Sequence, residues 1–375
     1  MQQVLNKIYL DHVSTTKPEK EVLDTYKKLL DRYYFNSDAL YDDGVAVYRL
    51  QEEAREKIAK MMKVKNNEII FTSGASESNS LAIKGLCLKN MHKKHIITSI
   101  YEHSSVYNAV SQMRDCLGFD VTFLKPNQDG VIDVQDVKNT LRDDTLLVSI
   151  MHVNNEIGSI NDINSIKEVV KKESKAYFHV DMTQSLSKID IDLKDIDLAS
   201  FSAHKIHGLK GSGFLYKRDY IEIEPLISGG QQEFKIRGGT SNACTNIVLA
   251  KTLRLALDHQ KENNHKIKLL HDYCLEKLNE IEDVVINSPK NAIDNIINLS
   301  TSVKSEVMMN ALNLNGIMVS SKSTCGSREN EPSRVLLSMG VDDENAIRIS
   351  FDSTNTFEEI DYFIKTLKES IKKYG

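Results

Sequence analysis

At 375 residues the chain is too long for one minimal core, which predicts a large domain with a smaller companion. Hydrophobic residues make up 41% and charged residues 27%, and 48 basic against 53 acidic side chains leave a formal charge of −5, so the chain lacks the basic field of a direct nucleic-acid binder. The five cysteines are scattered without a CxxC pair, and no apolar run reaches the length of a signal segment or a bilayer span; this argues against a disulfide framework or a zinc site and predicts a cytoplasmic protein without a membrane partner.

Ile8-Tyr9-Leu10 reads as a short strand ending at Asp11. A helix opens at Lys17-Pro18-Glu19, proline being tolerated in a first turn, and runs to about Tyr33. The stretch from Phe35 to Gly44 is turn-like, and Val45 to Met62 carries apolar residues at helical spacing. Strands at 68–71, 95–98, 120–123 and 146–151 then alternate with helices at 77–88, 104–116, 134–141 and 164–172. Strands at 177–180 and 198–201 follow, and the run 213–216 comes so soon afterwards that it is predicted antiparallel to its predecessor. Such alternation predicts an α/β architecture with a mostly parallel sheet covered on both faces, and it puts functional groups at the carboxyl ends of strands. Beyond Thr245 the texture changes. One long helix from Ile247 to about Ile281 leads into strands at 295–299, 316–320 and 346–351, a helix at 306–314, and a final amphipathic helix from Phe357 to about Lys372, which together read as a smaller α+β unit.

The strand ends carry an unusual set of side chains. Lys205, in Ser202-Ala203-His204-Lys205, stands between a buried strand and a glycine-rich turn; burial there would lower its pKa and make it a Schiff-base lysine, although a lysine after a strand is ordinarily a solvated surface residue. Ala75 and Ser76 lie in Thr72-Ser73-Gly74-Ala75-Ser76-Glu77, where small residues at a helix start expose N–H groups to an anion; the plainer reading is an ordinary start capped by Ser76. His103 and Asn155 each follow a strand, where a solvated histidine and a simple turn would also serve. Asp181 ends an apolar run, with Gln184 just beyond it, and a carboxylate in that position needs a cationic partner unless it caps the next helix. Each plain reading stands by itself, but together these residues occupy five predicted strand ends of one sheet. The set supplies what pyridoxal 5'-phosphate requires: phosphate donors, an aromatic plate, a pyridinium partner and an amine.

Cys325 is a second feature. Its neighbours are small or polar, and Lys322 and Arg328 would lower the pKa of an exposed thiol, whereas the ordinary free cysteine is a buried small hydrophobe. Cys87, Cys116, Cys244 and Cys274 read as packing residues.

The chain resembles the pyridoxal-phosphate-dependent cysteine desulfurases of the class-V aminotransferase group, in the branch with a long catalytic-cysteine loop. The resemblance spans nearly the whole chain and is carried by Phe71 to Asn79, Glu102-His103, Ser149 to Gly158, His179-Val180-Asp181, Thr183-Gln184-Ser185, Ser202 to Lys205, Arg237-Gly238-Gly239-Thr240 and the Cys325 segment. It implies a fold-type I transferase with a mostly parallel seven-stranded sheet in a large domain, 12–248, and a small domain formed by 1–11 and 249–375. It also implies roles: Lys205 as the Schiff-base lysine, Asp181 on the pyridine nitrogen, and His103 on the ring. Gln184 and Asn155 would bear on the phenolic oxygen and the substrate, and Ala75, Ser76, Ser202 and His204 would serve the cofactor's phosphate end. Thr240 would reach the cofactor of the second subunit of a homodimer. The implied reaction converts L-cysteine to L-alanine and leaves a persulfide on Cys325 for an acceptor protein in iron–sulfur cluster assembly or tRNA thiolation.

Three departures stand out. The arginine that clamps the substrate carboxylate is expected at the position held by Ser353, and Arg348 reads as a strand arginine rather than a substitute. The loop Asn36 to Asp42 and the residues Lys322-Ser323-Thr324 also differ from the family pattern. The missing arginine leaves open a selenocysteine lyase or another β-eliminating lyase, and the fold leaves open a non-catalytic partner protein.

Overall fold

The computed structural model describes residues 7–321 and 332–375. Its strands are β1 (Ile8–Tyr9), β2 (Ile69–Thr72), β3 (His95–Ser99), β4 (Asp120–Leu124), β5 (Thr145–Ser149), β6 (Tyr177–Asp181), β7 (Leu198–Ser202), β8 (Gly213–Lys217), β9 (Val284–Ile286), β10 (Ile296–Thr301), β11 (Ile317–Met318) and β12 (Ala346–Ser350). A seven-stranded sheet runs in the order β2-β8-β7-β6-β5-β3-β4. β8 is antiparallel to both β7 and β2, and the remaining neighbours are parallel, so β8 alone opposes the other six. The carboxyl ends of β2, β3, β5, β6 and β7 therefore share one edge.

Alternation along each strand divides the sheet's side chains between two cores. Phe71, Ile97, Val148, Phe178, Ala199 and Phe214 pack on one face with the helices α2 (Asp42–Met62), α7 (Ile163–Glu173) and α8 (Ala243–Asp258). Ile70, Ile96, Leu147, Leu198 and Leu215 pack on the other, against the run from α3 (Ala75–Ser80) through a π turn at Leu81–Gly85 into α4 (Leu86–Lys89), and against α5 (Ser104–Leu117). Two apolar faces explain why β5, with the sequence TLLVS, is buried throughout.

A further core surrounds the three-stranded antiparallel sheet β12-β10-β9 and joins α9 (Gln260–Asn279), α10 (Ser305–Leu314) and α12 (Phe357–Tyr374) to Ile8 and Leu10. The N-terminal strand enters it by pairing with β11. α12 is started by a capping box in which Thr356 accepts from the Glu359 N–H and Glu359 accepts from the Thr356 N–H. The helix expected from 247 to 281 is two helices, broken at His259 (φ −97°, ψ 1°). Leu249, Ala250 and Leu253 of α8 pack into the core of the large sheet. The α8 residues beyond 248 thus pack with the large sheet, whereas Ile267 and Leu270 of α9 pack in the smaller core. α1 (Lys20–Arg32) starts later than Pro18, and β9 and α11 (Arg334–Ser338) have no counterpart in the sequence reading. Among the described residues no helix is long and apolar enough to cross a membrane, and no cluster of metal-ligating side chains occurs.

Candidate active site

A cavity of about 420 Å³ opens at the carboxyl edge of the large sheet. Two glycines shape its floor. Gly74 takes φ +144°, a conformation L side chains rarely adopt, and turns the chain from β2 into α3, so the helix begins at Ala75 with Gly74, not Ser76, in the cap position. Gly213 opens β8 so close to this turn that an added Cβ would lie 2.6 Å from the Gly74 Cα. Ala75 and Ser76 consequently stand on the cavity wall facing Ser202 and His204 from the end of β7.

His103 caps α5 with its own ring: Nδ1 accepts from the Ser105 N–H at 3.2 Å and lies 2.8 Å from the Ser105 hydroxyl. An Nδ1 that accepts carries no proton, so the ring is neutral. Burial pushes its pKa below the ordinary value, assisted by the charges of Lys205 and Arg334 and opposed by Asp181. Asn79 ties this ring to the next group, because its amide donates both to the Ser105 hydroxyl (2.9 Å) and to Asp181 Oδ2 (2.8 Å). Asp181 Oδ1 accepts from the Thr183 N–H at 3.0 Å. The carboxylate at the end of β6 is thus fixed from two sides. Glu102 lies behind it, fully buried, accepting from the Ser99 hydroxyl (2.6 Å) and the Met151 N–H (2.9 Å). Burial raises its pKa to about 8, so near neutral pH it adds little negative charge beside Asp181.

Lys205 reaches the cavity from the single turn after β7, with Nζ 2.6 Å from the Val13 carbonyl and 2.8 Å from that of Ser14. His204 is kept neutral by burial and by the charges of Lys205 and Lys210, its pKa falling to about 4. Asn155, in the loop after β5, and Gln184 complete the wall. The Thr183 hydroxyl and Gln184 Oε1 are buried without a hydrogen-bond partner among the described residues, so this wall holds polar capacity that the protein itself leaves unused.

The structure thus brings nine of the expected residues to one cavity: Ala75, Ser76, His103, Asn155, Asp181, Gln184, Ser202, His204 and Lys205. Thr240 is exposed and does not line it. Cys325 lies outside the described residues. Ser353 is not on the cavity wall, and its carbonyl accepts from Lys266 Nζ. Arg348 is on that wall. It is 1% exposed and held by Asn155 O (2.7 Å), Asp11 Oδ1 (2.8 Å) and the Ser14 hydroxyl (2.9 Å), while its Nε lacks a partner among the described residues. The signal was present in the strand itself. Ile347 and Ile349 face the small core, so period two turns Arg348 the other way, and a buried guanidinium needs a purpose on that side.

A mostly parallel sheet whose carboxyl edge presents a lysine, a fixed carboxylate and a neutral histidine in one cavity is the architecture of fold-type I transferases. The family model described as aminotransferase class-V matches residues 8–363, and the chain belongs to this family. It is 38% identical to the cysteine desulfurase IscS of Clostridium botulinum strain Hall over 381 residues, covering 98% of this chain and 96% of the relative. Among solved structures it is similar to a NifS-like protein, with a TM-score of 0.92 and 33% identity, covering 98% of this chain and all of the other. It is also similar to SspA in complex with cysteine, with a TM-score of 0.82 and 34% identity, covering 94% of this chain and all of the other. The cofactor this family implies, pyridoxal 5'-phosphate, fits the cavity by the chemistry of its donors: an amine, a fixed carboxylate, hydroxyls beside a helix start, and the unused Thr183 and Gln184 oxygens.

Proposed function

We propose that the chain is a cysteine desulfurase that binds L-cysteine and pyridoxal 5'-phosphate in this cavity and passes the substrate sulfur to Cys325 for transfer to an acceptor protein. The observation that carries the reading is the placement of Lys205 and Arg348 on one cavity wall. The cysteine-bound state of SspA and the desulfurase relatives support the substrate. Lys205, Asp181, His103 and His204 would hold the cofactor, with Ala75, Ser76 and Ser202 at its phosphate end and Asn155 and Gln184 beside its ring. When bound, it supplies a sink for the electron pair left as the substrate Cα proton departs. Arg348 orients the substrate carboxylate through a guanidinium already fixed by Asp11 and Asn155. Lys205 Nζ would remove the Cα proton, and His103, whose Nδ1 is held by the Ser105 N–H, would keep its Nε2–H as a neutral hydrogen-bond donor at the site. The Cys325 thiolate would form an S–S bond to the substrate sulfur as the Cβ–S bond breaks; the electron pair of that bond stays on the carbon fragment, which is protonated and leaves as alanine, so no outside oxidant is needed. The desulfurase relatives do not favour the lyase reading, and the retained site gives a non-catalytic reading no support.

Replacing Cys325 with serine tests the relay. Incubated with 35S-cysteine and run on a non-reducing gel, the parent should carry label that thiol releases. The variant should carry none, and its alanine production should fall about 100-fold or more. Alanine formation at the parent rate would exclude a relay through Cys325.

We also place the functional unit as a homodimer in a reducing, cytoplasmic setting. Leu40 and Tyr34 are 94% and 72% exposed, close to a second cavity of about 560 Å³ lined in part by Leu40, Tyr48 and Phe234. Apolar exposure of this kind marks a surface that is covered in the working assembly. Light scattering should give twice the chain mass for the parent and a shift toward the monomer for Leu40→Glu. A monomeric parent would remove Thr240 from the cofactor-binding set.

A further inference from the structure

We propose that His207 is a positioning residue: as an imidazolium paired with Asp352, it locks the turn that carries Lys205 to the segment that follows Arg348. The inference rests on the functional reading above for its kinetic consequence but not for the ion pair itself.

His207 stands two residues beyond Lys205 at φ +61°, a conformation that a residue other than glycine holds only when its surroundings impose it. Its backbone is gripped by the segment after β1. The His207 N–H donates to the Thr16 hydroxyl at 2.7 Å, and its carbonyl accepts from the Glu19 N–H at 2.9 Å. The ring nitrogens face two groups that can only accept. Nδ1 lies 2.9 Å from the Lys17 carbonyl, and Nε2 lies 2.8 Å from Asp352 Oδ2. Neither neutral tautomer can donate to both, so the ring must carry two protons while Asp352 is ionised.

Asp352 is set just past the end of β12. It is 7% exposed, its Oδ1 accepts from the Thr354 N–H at 3.1 Å, and its own N–H donates to Asn355 Oδ1 at 2.9 Å. Asn355 in turn donates to the Tyr9 carbonyl at 3.1 Å. One ion pair thereby joins the Lys205 turn, the N-terminal segment and the strand bearing Arg348. Three other titratable groups act on it. His12 is buried with both ring nitrogens unpartnered among the described residues; burial holds its pKa below the ordinary value, and any charge it carries acts on Asp352 in the same sense as His207. The Lys188 amine, close to the Lys205 carbonyl at 3.5 Å, also feels Asp352, and burial lowers its pKa to about 8. Glu19 favours the charged His207, and Asp11 acts on His12.

Burial opposes both charges of the pair. The mutual hydrogen bond and attraction outweigh it, raising the His207 pKa and holding Asp352 well below the carboxylate range. A raised histidine value gives a contribution that is complete below the unfolded value, about 6.5, and is lost as pH rises through the folded value. A depressed aspartate value gives one that is present above about 4 and lost only in stronger acid. The lock is therefore complete between about pH 4 and 6.5 and opens on the alkaline side.

The test uses the cofactor-loaded enzyme and its Asp352→Asn variant, with His207→Gln as a second disruption of the same pair. At pH 6.5 kcat/KM for cysteine should fall about tenfold in Asp352→Asn, the scale of one hydrogen bond between charged partners. The variant-to-parent ratio should return toward one as pH rises and the parent loses the pair as well. Independently of turnover, 15N-histidine NMR of the parent at pH 6.5, with the His207 signals assigned by their loss in His207→Gln, should show that ring with both nitrogens protonated, and Asp352→Asn should convert it to a neutral ring. A neutral His207 in the parent, or a kinetic ratio that does not move with pH, would overturn the proposal. If the parent does not turn over cysteine but the imidazolium is present, the functional reading fails and the ion pair stands.

Discussion

Lys205→Ala is expected to reduce cysteine turnover by about a thousandfold or more while leaving the fold in place. Lys205 is the amine that the turn after β7 sends into the cavity, and its two bonded acceptors, the Val13 and Ser14 carbonyls, fix where the nitrogen sits. Proton removal from a carbon acid requires a base within hydrogen-bond reach and at the right height over the bond, which a side chain elsewhere does not replace. Lys210 also reaches the cavity wall, but it belongs to the exposed turn beyond His207, and Lys205→Ala with Lys210 intact should stay inactive. Alanine release measured under saturating cofactor is the readout, with thermal melting to show that the midpoint moves by no more than a few degrees. Residual turnover above a tenth of the parent would remove Lys205 from the proton transfer.

Arg348 is the second large effect. Arg348→Lys should lower kcat/KM by about 100-fold, because an ammonium cannot reproduce the planar fork that already spans Asn155, Asp11 and Ser14. Arg348→Ala should also destabilise the protein, by up to about 3 kcal/mol, since Asp11 loses its cationic partner in a largely desolvated position. The lysine variant separates the two losses: it keeps a charge near Asp11 and should melt closer to the parent while its KM for cysteine remains high. Ser353→Arg is the control. If Arg348 is the clamp, an arginine added at position 353, which does not line the cavity, should neither improve the parent nor rescue Arg348→Lys. A Ser353→Arg variant that lowers KM would restore position 353 as the carboxylate site.

Much of this arrangement was readable from residue order alone, for a physical reason. Strands buried on both faces, such as Leu146 to Ser149, announce themselves as unbroken apolar runs, and a right-handed crossover forces their carboxyl ends to one edge. Polar residues that follow such runs, Asp181 and Lys205 among them, then have one place to go. Elements marked by no local chemistry were not readable. The break at His259 has neither glycine nor proline to signal it, so two helices looked like one. Gly74 starts α3 before the serine that seemed its natural cap, because its unusual φ rather than a side chain makes the turn. The His207–Asp352 pair joins residues 145 positions apart whose sequence neighbourhoods say nothing of each other. The strand's period of two also turns Arg348 away from the small core that Ile347 and Ile349 enter, which position-by-position matching to a family pattern does not reveal.

The pairing of β1 with β11 and of Asp11 with Arg348 bears on how the protein is made. Asp11 and Arg348 are separated by 337 positions, and closing a loop of that length costs about 5 kcal/mol in chain entropy. On a ribosome the large sheet can assemble from its own strands, but the wall that combines Val13, Ser14 and Arg348 must await β12. A truncated or stalled chain would present the lysine turn without the N-terminal clasp that the β12 strand secures. The cavity beside Lys205 is therefore completed only when the segment after β1 and the strand β12 have met.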